Sequence, residues 1–345
     1  MHNCTFTAQR TVPTVGGMTL HTRLTDMFGI AHPVVLAPMD EVADWRLASA
    51  VADAGGLGLL GAGYGDKDWV DEQFRHLPTQ RVGVGFITWS MAEQPGLLDA
   101  AIAHRPRAIF LSFGDPAPHA PAIHAAGIPL ICQVHDIAQA RKAIAAGADV
   151  IAAQGGEAGG HGTAARSTFT LVPEIADLLQ STAPEVLLLA AGGVADGRGL
   201  AAALALGADG ALVGTRFWAA TEAAVPHTAQ IQGLRADGDA TVRQSAFDIV
   251  RGKSWPTPYT GRVLRNEFTT RWHGQEPALR TDIAAQADLF DAAVLAQDYT
   301  VANAIAGEAI GQITEIRSAA DIMEDMVSTA TAILSPAGAA AVTVG

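Results

Sequence analysis

The sequence predicts an α/β fold, a (β/α)₈ TIM barrel, with a smaller, mostly helical C-terminal lid segment. Two observations carry this. Eight short apolar runs recur between residues 34 and 218, and each is followed by a helical pattern, giving eight βα units by about residue 225. The runs are continuously apolar and do not alternate, as strands buried on both faces of a parallel sheet do. An open doubly wound sheet is the competing arrangement, but it rarely needs eight regular units of this length.

In chain order the runs are "VVLAPM" (34–39), "GLGLLGAG" (56–63), "RVGVGFITW" (81–89), "RAIFLSFG" (107–114), "PLICQVHD" (129–136), "DVIAAQGG" (149–156), "VLLLAAGGV" (186–194) and "GALVGTRFW" (210–218). Between them, "DWRLASAVADAGG", "IAQARKAIAAGAD" and "GRGLAAALALGAD" carry apolar residues three and four apart and run into glycine, the pattern of amphipathic helices with glycine stops. The barrel is placed at residues 18–225. After it the rhythm changes: "VRGKSWPTPYTGRVLRNEF" (250–268) is aromatic, basic and turn-rich, with helical patterns at 279–296 and 318–334. Residues 226–310 are expected to form a helical lid, and 311–334 a helix returning to the barrel wall.

Composition narrows the function. Of 345 residues, 49% are hydrophobic and 17% charged, which is globular. A net charge of −13 without a Lys/Arg cluster argues against nucleic acid. No stretch is long and apolar enough to span a membrane, and the first twenty residues lack a signal-peptide core. Cys4 and Cys132 fit no metal or redox spacing, so a reduced, cytoplasmic protein is the simplest expectation.

In a barrel of this kind the chemistry sits at the C-terminal ends of the strands. Gly192–Gly193 and Gly214–Thr215 end the seventh and eighth runs, where backbone N–H groups and a helix start bind phosphate. Asp196 is placed to cap the helix that follows Gly193. Tight turns alone would explain one such pair; two on adjacent strands favour phosphate. Ala37 and Pro38 end the first run and suit the edge of a flat ligand. Gln133 and Gln154 each offer a donor and an acceptor to a heterocycle, whereas His135 reads as a surface or capped histidine.

The segment "AAQGGEAGGHGT" (152–163) holds five glycines around one acid and one histidine. Glycine lets a backbone approach something closely or take positive φ. His161 is poorly explained as core there, and histidine titrates near neutral pH. It is the candidate general base, with Glu157 either orienting it or capping the loop. No metal site is expected: a metal-dependent hydrolase would want His and Asp ligands at several strand ends, and the first strand has none. No cysteine lies near the loop to serve as a nucleophile. "GLGLLGAGYGDK" lacks the third glycine of a dinucleotide fingerprint, with Asp66 in its place.

"AAQGGEAGGHG" closely resembles the hallmark segment of the nitronate monooxygenases, also called 2-nitropropane dioxygenases. "LAPM", "AAGGVADGRGLAAALALGA" and "VGTRF" resemble that family in the same order and at similar spacing, over about residues 18–220. The resemblance implies flavin mononucleotide (FMN) at the barrel mouth. Ala37, Pro38 and Met39 would line the ring, with Gln133, Gln154, Gly159 and Gly160 in the same flavin site. Gly192, Gly193, Leu212, Val213, Gly214 and Thr215 would hold the phosphate end. It also implies oxidation of alkyl nitronates by O₂ to a carbonyl compound and nitrite, with His161 as the base for neutral nitroalkanes. One departure stands out: Gly85 takes the place of an asparagine that contacts the flavin in many members, and nearby Trp89 is a candidate to reshape the pocket. Two alternatives share the barrel. One is an FMN-dependent enoyl-acyl carrier protein reductase or NAD(P)H:quinone reductase. The other is a flavin-binding module without turnover. A homodimer is compatible with the apolar helices.

Overall fold

The computed structural model describes residues 20–78 and 80–335. The N-terminal stretch read for a leader, Cys4 and the tail from Pro336 lie outside them. Each apolar run contains one strand of a parallel barrel: β1 Val34–Leu36, β2 Leu59–Gly61, β3 Gly83–Ile87, β4 Ile109–Ser112, β5 Leu130–Val134, β6 Val150–Gln154, β8 Leu187–Ala191 and β9 Gly210–Val213. The additional strand, β7 Gly160–Gly162, lies in the glycine-rich loop. The barrel order is β1-β9-β8-β6-β5-β4-β3-β2. Closure comes from residue 57: Leu36 N donates to Leu57 O (2.9 Å) and Leu57 N to Val34 O (3.0 Å).

Side chains alternate along each strand, so the continuous apolar runs feed two cores. Val35, Leu59, Phe110, Ile131, Val150, Leu189 and Leu212 fill the barrel. Val34, Leu36, Leu60, Val84, Ile109, Leu111 and Leu188 face the outer helices. Helix Arg23–Phe28, started by a Thr22/Thr25 capping box, adds Leu24 and Phe28 to the inner core. Its Arg23 pairs with Asp209, the residue before β9, so this helix packs at the end of the barrel away from the glycine loops. Glycine permits the tight helix–strand approach: a Cβ on Gly58 would sit 2.0 Å from Ala48 O. Helix Ala319–Leu334 packs on helix Gly197–Ala205 so closely that a Cβ on Gly197 would meet Thr329 Cβ at 2.4 Å.

Residues 226–310 were expected to form a mostly helical lid. They hold helices His227–Leu234, Ala246–Val250, Glu267–Trp272, Glu276–Thr281 and Ile283–Ala296, and also strands β10 Thr241–Gln244 and β11 Thr260–Leu264. β10, β11 and β7 form an antiparallel sheet in which His161 pairs with Gly261. These strands are only four and five residues long, and arginine and threonine fill much of them, so they read as turn. Around them Phe247, Phe268, Phe290, Trp272 and Leu279 make a separate small core.

Candidate functional site

A cavity opens at the C-terminal ends of the barrel strands. Ala37, Pro38 and Met39 line it after β1, Gln133 on β5 and Gln154 on β6. Gly159, Gly160 and His161 follow, with Gly192 and Gly193 after β8 and Leu212, Gly214 and Thr215 at β9. Val213 is the exception: Leu212 points inward, so alternation turns Val213 out into the fully buried helix-facing core.

The glycines divide into two kinds. A Cβ on Gly155 would strike Thr168 N at 2.3 Å, and one on Gly159 would strike Gly307 N at 2.5 Å. These two bring backbone against protein. Gly193 and Gly214 are different. Gly193 sits at φ +76°, and an added Cβ would meet nothing nearer than Glu157 Cγ at 3.6 Å; at Gly214 the nearest atom is Ala37 Cβ at 3.5 Å. Their open faces belong to the cavity. Asp196 caps the helix after Gly193, accepting from Arg198 N and Gly199 N, so that helix start is already satisfied. Helix Thr215–Trp218, starting at Gly214, has no side-chain cap.

The His161 side chain is 12% exposed and opens on the cavity. Its Nε2 lies 3.0 Å from both oxygens of Asp248, whose side chain is only 6% exposed. Its ring stacks on Trp255, with centroids 3.4 Å apart and planes 6° apart. Burial pulls the His161 pKa below its ordinary value; Asp248 opposes this, and Arg251 and Arg243 reinforce it. The balance favours the neutral imidazole. An ionised carboxylate only accepts, so Nε2 carries the proton and Nδ1 is the basic nitrogen. Among the described residues, Nδ1 has no protein partner.

A strand-end histidine of this kind, within a glycine loop on a parallel barrel, can be set against known proteins. The chain matches the nitronate monooxygenase family over residues 21–80 and 89–329. The chain belongs to that family. It is 33% identical to a nitronate monooxygenase of Neurospora crassa, over 86% of this chain and 88% of that protein. It is 35% identical to a (3aS,4S,5R,7aS)-5-hydroxy-7a-methyl-1-oxo-octahydro-1H-indene-4-carboxyl-CoA dehydrogenase of Mycobacterium tuberculosis, over 74% of this chain and 69% of that one. Among solved structures, FabK from Thermotoga maritima superposes with a TM-score of 0.76 at 30% identity, covering 91% of this chain and 97% of its own.

Within this nitronate monooxygenase family member, several partners of the site are long-range. Glu157 does not reach His161; it caps the loop, accepting from Thr168 N at 2.8 Å. Orientation falls to Asp248 instead. Arg243 donates to Gly162 O, Thr260 O, Gly156 O and Ala158 O, and Arg262 to Gly156 O. Together they fasten the glycine loop by its carbonyls. Burial, with Arg262 beside it, lowers the Arg243 pKa to about 10, so it stays charged at neutral pH.

His135 is not a surface residue. It is 1% exposed, with Nε2 2.7 Å from Gln154 Oε1 and Nδ1 3.1 Å from Gln139 Oε1. Gln133 Nε2 also donates to Gln154 Oε1 (2.7 Å), which fixes Gln154 at the cavity wall. Gly85 lines the cavity with backbone alone, and a Cβ there would meet Pro38 Cβ at 2.4 Å. A side chain at 85 requires Pro38 to move. Trp89 reaches the site through Trp255, its ring 5.4 Å away.

The residues that sequence reasoning missed are Asp248, Trp255, Arg243, Arg262 and Asp40. One signal was available: in "AFDIV" an acid sits between Phe247 and Ile249, and acids are rarely buried in such settings unless paired.

Proposed function

We propose that the protein binds FMN in this cavity and oxidises alkyl nitronates with O₂ to a carbonyl compound and nitrite. The observation that carries the reading is His161, held by Asp248 and lining a cavity that open glycine backbone also lines. Family membership and the Neurospora crassa relative support the substrate class. The residues present fit FMN. Gly193, Gly214 and the uncapped start at Thr215 suit a phosphate, while Ala37, Pro38 and Met39 offer a small, flat edge. Gln154 offers an amide donor. When bound, the flavin supplies the electron acceptor.

The protein's own part is binding and proton transfer. His161 Nδ1 takes the α-proton of a neutral nitroalkane, and the Asp248 carboxylate stabilises the imidazolium that results. A substrate that arrives as the nitronate has already lost that proton and bypasses the step. Trp255 holds the imidazole plane and covers one of its faces.

The test is an anaerobic mix of holoprotein with ethyl nitronate, following flavin absorbance, with NADH and NADPH in parallel. Bleaching by the nitronate with both nicotinamides inert is the expected result. Rapid bleaching by a nicotinamide, and none by the nitronate, would replace the reading with a reductase.

A further inference from the structure

The cavity holds one acid that neither the flavin nor the base accounts for. Asp40 follows Met39 at the end of β1 and lines the cavity. Its carboxyl rests on Gly63, where a Cβ would fall 1.6 Å from Oδ1, so Gly63 makes the space it occupies. Three other carboxylates at this end are engaged: Asp248 with His161, Glu157 with Thr168 N, Asp196 with the helix behind it. Among the described residues, no donor reaches the Asp40 carboxyl.

We propose that Asp40 receives an anionic substrate as a neutral carboxylic acid, its O–H donating to a negatively charged substrate oxygen, so that anion and proton bind together. The proposal rests on reading the substrate as an alkyl nitronate. An ionised carboxylate would repel such an anion; a protonated one offers a short, charge-assisted hydrogen bond.

The surroundings favour the neutral form. Burial raises Asp40 to about 6, Glu41 adds to the rise, and Arg251 and Lys253 work against it. Lys253 is turned to another target, its Nζ 4.1 Å over the Tyr64 ring. Tyr64 accepts from Trp255 Nε1 at 2.8 Å, and Trp255 in turn stacks on His161. The groups around Asp40 are thus Glu41, Tyr64, Arg251 and Lys253, with His161 and Asp248 beyond Trp255. An arriving anion adds negative charge beside Asp40 and raises its proton affinity further.

The experiment uses butyrate, an inert two-oxygen anion, titrated calorimetrically into holoprotein in buffers of different ionisation heat. Close to one proton taken up per butyrate near about pH 7.5 is expected, with Kd weakening about tenfold per pH unit above Asp40's own titration. His161 contributes little there, because its pKa lies below the ordinary histidine value. In Asp40→Asn, which keeps a donor but cannot ionise, binding should persist at high pH with the proton uptake gone. No uptake by the wild type, no butyrate binding at any pH, or the same uptake in Asp40→Asn would each overturn the proposal. Wild-type uptake is readable even if the variant fails to fold. Flavin bleaching by ethyl nitronate is scored separately, so a wrong substrate class and a wrong role for Asp40 give different results.

Discussion

The two sides of the cavity are built on different principles. On the β8–β9–β1 side, backbone and small residues do the work: Gly192–Gly193, Gly214–Thr215 and Ala37–Met39. Each group is contiguous in the chain. On the other side, charged and aromatic side chains do it, and none of the partners is local. His161 meets Asp248 across 87 residues, and Arg243 meets Gly156 O across the same separation. In the function proposed above, the first side holds the ligand closely and the second handles a proton. Damage to the first should loosen the cofactor; damage to the second should leave it bound and impair chemistry.

The largest expected effect is His161→Asn. Flavin content should be retained while nitroethane turnover falls about 10²–10⁴-fold, or about 3–5 kcal/mol. Turnover of ethyl nitronate should fall far less. Equal nitroethane rates in variant and wild type would remove His161 from the role.

Arg243→Ala comes next. It removes one donor from three loop carbonyls, Gly156 O, Ala158 O and Gly162 O, and from Thr260 O on β11, with Arg262 still donating to Gly156 O, and should cost about 2–4 kcal/mol of stability, since hydrogen bonds to charged groups are the strong ones. Urea unfolding gives the loss, and amide exchange at β7 should accelerate. An unchanged midpoint would mean that the loop holds itself.

Asp248→Asn is smaller and more diagnostic. Asp248 raises the His161 pKa, so without it that pKa falls further. The base must be unprotonated to act, so the acid limb of kcat/KM for nitroethane should move to lower pH. A weaker base should also lower the plateau about tenfold. A limb that stays in place would separate Asp248 from the base.

The smallest is Gly193→Ala on the opposite side. There is room for the methyl group, but φ +76° disfavours any side chain, at a cost of about 1 kcal/mol. FMN should bind more weakly with the nitroethane pH profile unmoved. A shifted profile would break the division between the two sides.

The same division explains what the sequence disclosed. The barrel was legible because strand burial and helix periodicity are written within ten residues. The β8 and β9 ends were legible because glycine is needed where backbone must come close. The Val213 side chain faces away from the cavity because a motif names consecutive residues, while a strand sends alternate ones to opposite faces. Of the two readings of His135, surface or capped, the surface one fails because its environment comes from β6 and helix Ile137–Ala145, not from its neighbours in the run. The β7–β11 pairing left no local trace: β7 is the tripeptide Gly-His-Gly, which has no strand propensity and becomes a strand only because β11 lies beside it.

That pairing also defines what can be exchanged between relatives. The histidine sits in a loop of the barrel, but its register is held by Gly261, its proton partner is Asp248 and its stacking face is Trp255. A chimera that joins this barrel to another member's C-terminal segment would inherit the base without its setting. The smallest transplantable unit is the glycine loop together with residues 241–264, and a barrel cut after β9 would carry a histidine with nothing to aim it.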